Sequence, residues 1–196
     1  MDKNAITVLI GHPDPDPDRL VRKLAQAYAS GARAAGRQVQ LFDLARMDFP
    51  MLRGREDFES EAPAGSIVAQ FQAAIGDSAH LAIFHPLWLG GMPALLKALL
   101  EQTCRGGFAF DPGRSPFARK LKGRSARIIV TMGMPALLYR YWYGMPGIRM
   151  LERNILGFIG FTPIRRSLIG SVDTLGEAGH ARWLSRMSAF GSRDLS

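Results

Sequence analysis

The chain has 196 residues, of which 47% are hydrophobic and 21% charged, a composition typical of one globular domain with a sizeable core. A single Cys excludes an internal disulfide and favours a reducing, cytoplasmic compartment. Residues 6–10 form an apolar run too short for the core of a signal peptide. Residues 81–100 are apolar, but Gly90, Pro93 and Lys97 among them exclude a membrane-spanning helix.

The net charge of +8 comes from 25 Lys and Arg against 17 Asp and Glu. The Arg residues are scattered along the chain, and only Arg165 and Arg166 are adjacent. A surface that recognises nucleic acid clusters its basic residues with aromatic ones, so nucleic-acid binding is the weakest hypothesis. We interpret the charge as a solvated basic exterior that also attracts anionic ligands.

Apolar runs alternate with helical patterns along the whole chain. Strands are predicted at residues 6–10, 39–42, 81–84, 127–131 and 164–169. Helices are predicted from Asp18 to Gly36 and at residues 67–75, 94–103, 148–159 and 176–190, with loops at 53–66 and 106–122. This alternation predicts an α/β fold, a doubly wound parallel sheet of five strands in the order 2-1-3-4-5 with helices on both faces.

The first strand ends in a loop that contains proline at alternate positions, which removes backbone donors and stiffens the loop. Asp18 is predicted to cap the following helix, whose free N–H groups would then face an anion. We predict a flavin phosphate there, with His12 on the ribityl chain or phosphate and Arg19 assisting. Asp16 lies in the same loop.

The third strand leads into residues 86–93, where Trp88 and two glycines follow an apolar run. A flavin ring needs an apolar plane against one face and backbone N–H groups near its polar edge, and glycine lets the main chain approach closely. We therefore predict that this loop holds the isoalloxazine ring. Its predicted contacts are Pro86, Leu87, Trp88, Leu89 and Gly90.

The fourth strand ends in a Thr-x-Gly sequence whose amides can turn toward a flavin edge. The predicted contacts are Thr131, Met132, Gly133 and Met134, with Tyr139 hydrogen-bonding from a lid-like loop. The aromatic residues at 138–143 can stack a nicotinamide or quinone, and they can equally form a dimer surface.

These motifs closely resemble those of the flavodoxin-like NAD(P)H dehydrogenase (quinone) family, which includes the ancillary flavoproteins of Kef potassium-efflux systems. The resemblance rests on His12-Pro13, on residues 42–49, on residues 86–97, on residues 107–110 and on the spacing of Thr131, Gly133 and Tyr139. It implies a single flavodoxin-like domain over residues 1–196, FMN or FAD as cofactor, NAD(P)H as co-substrate and a homodimer. It also implies ping-pong hydride transfer from the nicotinamide through flavin N5 to a quinone or similar acceptor.

The chain departs from the pattern of the eukaryotic members in two segments. Trp88 stands where they place Gln, with Leu89 in place of a neighbouring aromatic residue. Met145 stands where they have a His credited with stabilising charge on the reduced flavin or quinone, and Met donates no proton. Tyr143 can offer a hydroxyl as a hydrogen-bond donor, so Tyr139 and Tyr143 are the predicted catalytic residues.

Three alternatives stay open at this stage. A flavin-binding regulatory subunit would dock peripherally to a membrane transporter and turn over little. A metal-dependent hydrolase would use His12, Asp14 and Asp16, although Pro15 interrupts the usual acidic pair. A phosphatase would use Asp14 and Asp16. FMN is the narrower cofactor assignment, because the first loop reaches one phosphate and no adenine pocket is recognisable. No metal is predicted.

Overall fold

The computed structural model describes residues 1–109 and 119–195, which fold around one parallel sheet in the order β2-β1-β3-β4-β5. Its strands are β1 (Asp2–Ile10), β2 (Gln38–Asp43), β3 (Ser78–Pro86), β4 (Ser125–Thr131) and β5 (Ile164–Ile169). The helices are α1 (Leu20–Ala34), α2 (Arg55–Glu59), α3 (Ile67–Asp77), α4 (Ala94–Thr103), α5 (Ala136–Tyr141), α6 (Pro146–Arg149), α7 (Gly157–Ile159) and α8 (Gly176–Arg193). The predicted fold class and strand order are confirmed.

Helices cover both faces of the sheet, which explains the continuous apolar runs of the central strands. On one face α1 and α8 pack against β1, β3 and β4. On the other, α3, α4 and the 146–159 segment enclose a second apolar cluster. β3 is buried along its whole length, whereas the edge strands β2 and β5 expose part of their residues.

The α1 and α8 helices approach so closely that two contact positions admit only glycine. A Cβ at Gly31 would lie 2.0 Å from the carbonyl oxygen of Ser188, and one at Gly191 would lie 2.0 Å from that of Tyr28. This contact holds the C-terminal helix beside the helix that follows β1. It also brings the start of α8 to the same sheet edge as the start of α1.

Several helices differ from the sequence prediction, beginning with two near the cleft. The helix predicted from Asp18 begins at Leu20, because the Asp18 side chain pairs with Lys23 instead of capping. The segment around Tyr139, predicted as a lid-like loop, is the helix α5.

The predicted helix over 148–159 is α6 and α7 joined by a π-helical segment (Met150–Leu156). Residues 53–66, predicted as a loop, contain the short α2. Phe110 of the 107–110 motif, and part of the stretch at 106–122, lie outside the described residues. Within the described ranges, no helix is long and apolar enough to cross a membrane.

Candidate functional site

A cleft of about 450 Å³ opens at the carboxyl edge of the sheet, where β1, β3 and β4 end. The chain leaves β1 toward α1 on one face and leaves β3 toward α4 on the other, so a crevice forms between the two strands. The cleft is lined by His12, Asp18, Arg19, Leu20, Val21, Pro86, Leu87, Trp88, Thr131, Met132, Gly133, Val172, Asp173 and His180.

Three segments far apart in sequence therefore meet in one cavity, as the sequence motifs predict. Nine of the predicted cofactor residues line it: His12, Asp18, Arg19, Pro86, Leu87, Trp88, Thr131, Met132 and Gly133. Asp16, Leu89, Gly90, Met134, Tyr139 and Tyr143 lie outside its lining. Contact of any of these residues with a flavin stays a prediction.

Five lining residues were not predicted from sequence: Leu20, Val21, Val172, Asp173 and His180. Leu20 and Val21 contribute because α1 begins two residues later than expected. Val172 and Asp173 come from the connection between β5 and α8, and His180 comes from the first turns of α8; neither segment carries a recognisable motif. Leu20 and Val21 could have been predicted from sequence if the helix start had been placed at Leu20.

The loop after β1 uses its own side chains to satisfy its backbone. The N–H of Asp14 donates to His12 Nδ1 (3.0 Å), that of Asp16 to Asp14 Oδ1 (2.9 Å) and that of Asp18 to Asp16 Oδ1 (2.9 Å). The residues between them are prolines, which have no N–H. Residues 13–18 therefore offer no free backbone donor to a ligand.

The free donors lie instead at the first turn of α1. Arg19 is the N-cap residue, and no side chain caps the helix. The N–H groups of Arg22 and Lys23 reach the carbonyl of Arg19, whereas those of Leu20 and Val21 have no partner among the described residues. An uncapped helix start with free N–H groups attracts an anion.

The acidic loop beside this helix start is largely neutralised. Arg19 contacts Asp14 at 2.6 Å, and Lys23 contacts Asp18 at 2.9 Å. Hydrogen bonds from the Asp16 backbone and the Arg19 side chain lower the pKa of Asp14, so this carboxylate stays charged and paired. The Asp residues thus hold Arg19 and Lys23 beside the helix start.

His12 is buried at the floor of the cleft. Burial lowers its pKa, the Arg19 and Arg22 charges lower it further, and Asp14 partly opposes them. Because Nδ1 accepts the Asp14 N–H, the neutral ring carries its proton on Nε2. The imidazole meets Trp88 edge to face, with ring centroids 5.8 Å apart. His12 is therefore a neutral donor placed beside the indole.

Residues 88–91 form a tight two-residue hairpin. Trp88 and Gly91 exchange backbone hydrogen bonds of 2.9 Å, and the intervening Leu89 (φ 46°) and Gly90 (φ 81°) are both left-handed. These angles are typical of a type I′ turn. The indole of Trp88 is 47% exposed and Leu89 is fully exposed, so the turn presents an apolar surface at the cleft mouth.

Tyr139 holds this turn from behind. The residue is fully buried, and its hydroxyl donates to the Gly90 carbonyl oxygen at 2.8 Å. Gly147 packs against the same turn, where a Cβ would lie 2.5 Å from the Gly90 oxygen. In this structure Tyr139 is a positioning residue for the turn, and its predicted contact with a flavin stays a prediction.

Met145 and Tyr143, which follow α5, differ in exposure. Met145, which stands where a His was expected, is buried in the apolar core with φ 54°. Tyr143 is more than half exposed, as are Tyr141 and Trp142. The aromatic segment is therefore a surface feature beside the cleft.

The metal-site alternative finds little support in the geometry. His12 Nδ1 accepts the Asp14 N–H, and the Asp14 carboxylate receives the Asp16 N–H and the Arg19 side chain. Across residues 1–109 and 119–195, no group of three or more His, Cys, Asp or Glu is arranged to hold a metal ion. These atoms stabilise the loop.

A 2-1-3-4-5 sheet with a cleft at its switch point, a helix start on one side and an apolar turn on the other, defines the flavodoxin-like class of α/β proteins. A family model described as flavodoxin-like fold matches residues 4–188. The chain belongs to this family, which confirms the resemblance drawn from the motifs.

Known proteins similar to this chain fall into two groups. A segment of 70 residues is 36% identical to the glutathione-regulated potassium-efflux system ancillary protein KefG of Escherichia coli. The match spans about a third, 36%, of both this chain and that relative.

The solved structures are similar over nearly the whole chain. NAD(P)H:quinone oxidoreductase from Methanothermobacter marburgensis aligns with a TM-score of 0.77 at 21% identity, covering 98% of this chain and 97% of that one. An FMN-dependent NADH-azoreductase from Bacillus anthracis, in complex with FMN, aligns with a TM-score of 0.75 at 14% identity, covering 98% and 100%. At these identities the likeness shows the fold.

Proposed function

We propose that the protein binds FMN and transfers two electrons from NAD(P)H to a quinone or a similar acceptor. The observation that carries this proposal is one cleft that contains both a helix start with free N–H groups and an exposed indole. The quinone oxidoreductase and the FMN-dependent azoreductase that share the fold support the same chemistry.

The helix start of α1 fits the phosphate of the cofactor. The N–H groups of Leu20 and Val21 would hold the phosphate oxygens, and the helix dipole favours a negative group there. Arg19 lies at the same rim and adds a positive charge. Asp14 and Asp16 face Arg19, so their charges are directed to the guanidinium.

The other end of the cleft fits the flavin ring. Trp88 and Leu87 supply apolar surface, and Thr131, Met132 and Gly133 line the same cleft. His12 would place its Nε2–H near a polar edge of the cofactor. The cleft volume lies in the range of small-molecule sites, and its lining includes no separate adenine pocket, so FMN is favoured over FAD.

FMN held by these residues would supply the redox chemistry, a two-electron exchange between a reduced nicotinamide and an acceptor in the ping-pong order predicted above. The chain's own residues would orient the flavin ring and shield it from water. Tyr139 donates a hydrogen bond to the Gly90 carbonyl and thereby fixes the orientation of the turn that carries Trp88. Burial keeps His12 neutral, so it donates a hydrogen bond without adding a positive charge. Tyr143 lies at the surface, where its hydroxyl can meet an acceptor.

A homodimer forms part of the same proposal. Leu89 and Trp88 on the turn, and Trp142 and Tyr143 after α5, expose apolar surface that a second copy would cover. Such a partner would exclude water from the cleft mouth. Sedimentation velocity of the purified protein measures this, and a monomer at high concentration would contradict it. The cytoplasmic location stays a prediction.

The absorption spectrum of the purified protein tests the cofactor, followed by mass identification of any released flavin. Trp88→Ala should weaken FMN binding about tenfold, because an indole plane is lost from the ring site. Phe158→Ala, at an exposed aromatic position of α7 outside the cleft lining, is the matched control and should bind FMN as the parent does. Colourless protein that takes up neither FMN nor FAD would refute the proposal.

The similarity to KefG favours a second candidate, a flavin-binding regulatory subunit of a membrane transporter. Steady-state oxidation of NADH and NADPH with benzoquinone separates the two. Rapid turnover supports the oxidoreductase, and bound flavin with negligible turnover supports the regulatory subunit. Docking to a transporter is a proposal, because the match covers only about a third of KefG.

A further inference from the structure

The excess of basic over acidic residues comes from one part of the chain. Residues 1–109 contain eleven Lys and Arg against twelve Asp and Glu, whereas residues 119–195 contain thirteen against four. The second part supplies β4, β5 and helices α5 to α8. The net positive charge therefore belongs to the part of the fold built on β4 and the edge strand β5.

Within that side, a groove of about 420 Å³ lies along the edge strand β5, between α5 and α8. It is lined by Ala136, Leu137, Arg140, Arg166, Ser167, Leu168, Trp183 and Arg186. No Asp or Glu is among these residues. We name this set the β5 groove.

The arginines of the β5 groove are held by aromatic rings more than by carboxylates. Arg186 lies over the rings of Trp183 (4.9 Å) and Phe190 (5.3 Å), and Arg140 lies 5.3 Å from the ring of Tyr141. Neither makes an ion pair among the described residues, whereas Arg166 pairs with Glu152 at 2.9 Å. Two unneutralised guanidinium groups thus flank one groove.

The rim of the groove is apolar and exposed. Leu137 and Tyr141 are four residues apart on α5 and share a helix face with Arg140, and their exposed fractions are 68% and 73%. Leu138 and Trp142 form the other exposed pair of this segment, which lies on a different face. The face that borders the groove therefore combines aliphatic, aromatic and basic side chains.

We infer that the β5 groove and its rim dock on an anionic lipid surface. Tyr and aliphatic side chains are stable at the level of lipid headgroups, and Arg residues beside them attract anionic lipid phosphates. Charge complementarity identifies the partner, because the groove offers unpaired guanidinium groups and the surrounding half of the chain carries few acids. The inference is independent of the proposed oxidoreductase function.

Vesicle sedimentation tests this docking with the full chain. The parent should bind vesicles of phosphatidylcholine mixed with phosphatidylglycerol, and it should remain in solution with phosphatidylcholine alone. Arg140→Gln combined with Arg186→Gln should weaken binding about 25-fold, since each basic residue near the surface contributes about fivefold. The double variant Arg33→Gln/Arg55→Gln lowers the net charge equally on exposed positions of the other half and should bind as the parent does.

Leu137→Gln separates apolar insertion from charge attraction. It should weaken binding about fivefold and leave the dependence on salt unchanged, because the lost contribution is apolar. The double arginine variant should instead flatten the salt dependence. Circular dichroism of each variant checks that it folds.

Several outcomes would overturn the inference. Failure of the parent to bind anionic vesicles is one of them. Equal loss of affinity in the Arg33/Arg55 control and the groove variant is another, because it would indicate a non-specific charge effect. A changed oligomeric state of the groove variant without vesicles would identify the face as a contact between copies. Salt-sensitive binding to duplex DNA without vesicle binding would identify nucleic acid as the partner.

Discussion

At the amino edge of the sheet the buried Asp194 is paired with Arg127 and Tyr28, whereas at the carboxyl edge backbone donors face an open cleft. Asp194 accepts two hydrogen bonds of 2.6 Å from Arg127 and one of 2.8 Å from Tyr28. The N–H groups of Leu20 and Val21 have no such partner among the described residues. The polar groups around Asp194 at the amino edge bind one another and stabilise the fold, whereas the free N–H groups at the carboxyl edge are available to a ligand.

The physical reason lies in the direction of the chain. Parallel strands end together at the carboxyl edge, where loops are long and helices begin, so free N–H groups and positive dipole ends collect there. Helices end at the amino edge, and α8 brings Asp194 to Arg127 on β4. Hydrogen bonds from Arg127 hold the pKa of Asp194 low although burial alone would raise it.

The largest effect is expected from Asp194→Asn. It leaves the buried Arg127 without a counter-charge, so the free energy of unfolding should fall by about 3–5 kcal/mol. Urea denaturation measures this loss. Glu177→Gln removes a charge from an exposed position of the same helix and should leave stability nearly unchanged. Equal stability of the two variants would show that the amino-edge network contributes little.

A pH effect of similar size is expected from His80. Burial lowers its pKa to about 4, well below the usual 6.5, with Arg127 and Arg165 adding to the effect and Asp194 opposing it. The unfolded chain therefore binds the proton first, and stability should fall as the pH decreases from 6.5 to 4, by about 3 kcal/mol for this residue.

Urea denaturation across that pH range measures the slope for the parent and for His80→Gln. The variant should show a shallower decline, although His85, whose pKa burial also lowers to about 4, keeps part of it. Parallel slopes for the two proteins would contradict the assignment of this pH dependence to His80.

At the carboxyl edge, Tyr139→Phe should lower the free energy of unfolding by about 1 kcal/mol, the contribution of one buried hydrogen bond. The Gly90 carbonyl then lacks its donor, and the turn that carries Trp88 is held less firmly. FMN titration of the variant should therefore show weaker binding along with the lower stability. Tyr143→Phe, at an exposed hydroxyl, is the control for stability. Unchanged FMN affinity in Tyr139→Phe would remove the positioning role.

The smallest effect, and one of opposite sign, is expected from Leu89→Asn. Leu89 is fully exposed yet left-handed, a conformation that Asn adopts more readily. Stability should rise by about 0.5 kcal/mol, while any contact of the Leu side chain with a ligand or partner is lost. Leu137→Asn, in the right-handed helix α5, should bring no such gain. A gain in both variants would exclude relief of backbone strain.

Elements with strong local signals were predicted closely. α4 and β5 have the predicted bounds, because a proline precedes α4 and β5 begins and ends with isoleucine between Pro163 and Gly170. The predicted helix start after β1, Asp18, lies two residues before the observed start at Leu20. Asp18 looks like a cap in the sequence, but its side chain pairs with Lys23. The helix α5 was missed, because the glycines and prolines that flank it resemble a loop.

The sequence by itself determined the doubly wound sheet, its strand order and the three strand ends that share a cleft. These features follow from apolar periodicity and chain direction, which act locally. Only the tertiary structure decided which groups in the cleft are free, that Tyr139 supports the turn and that the basic residues share one side. Hydrogen-bond partners and neighbouring charges come from segments far apart in sequence, and packing alone brings them together.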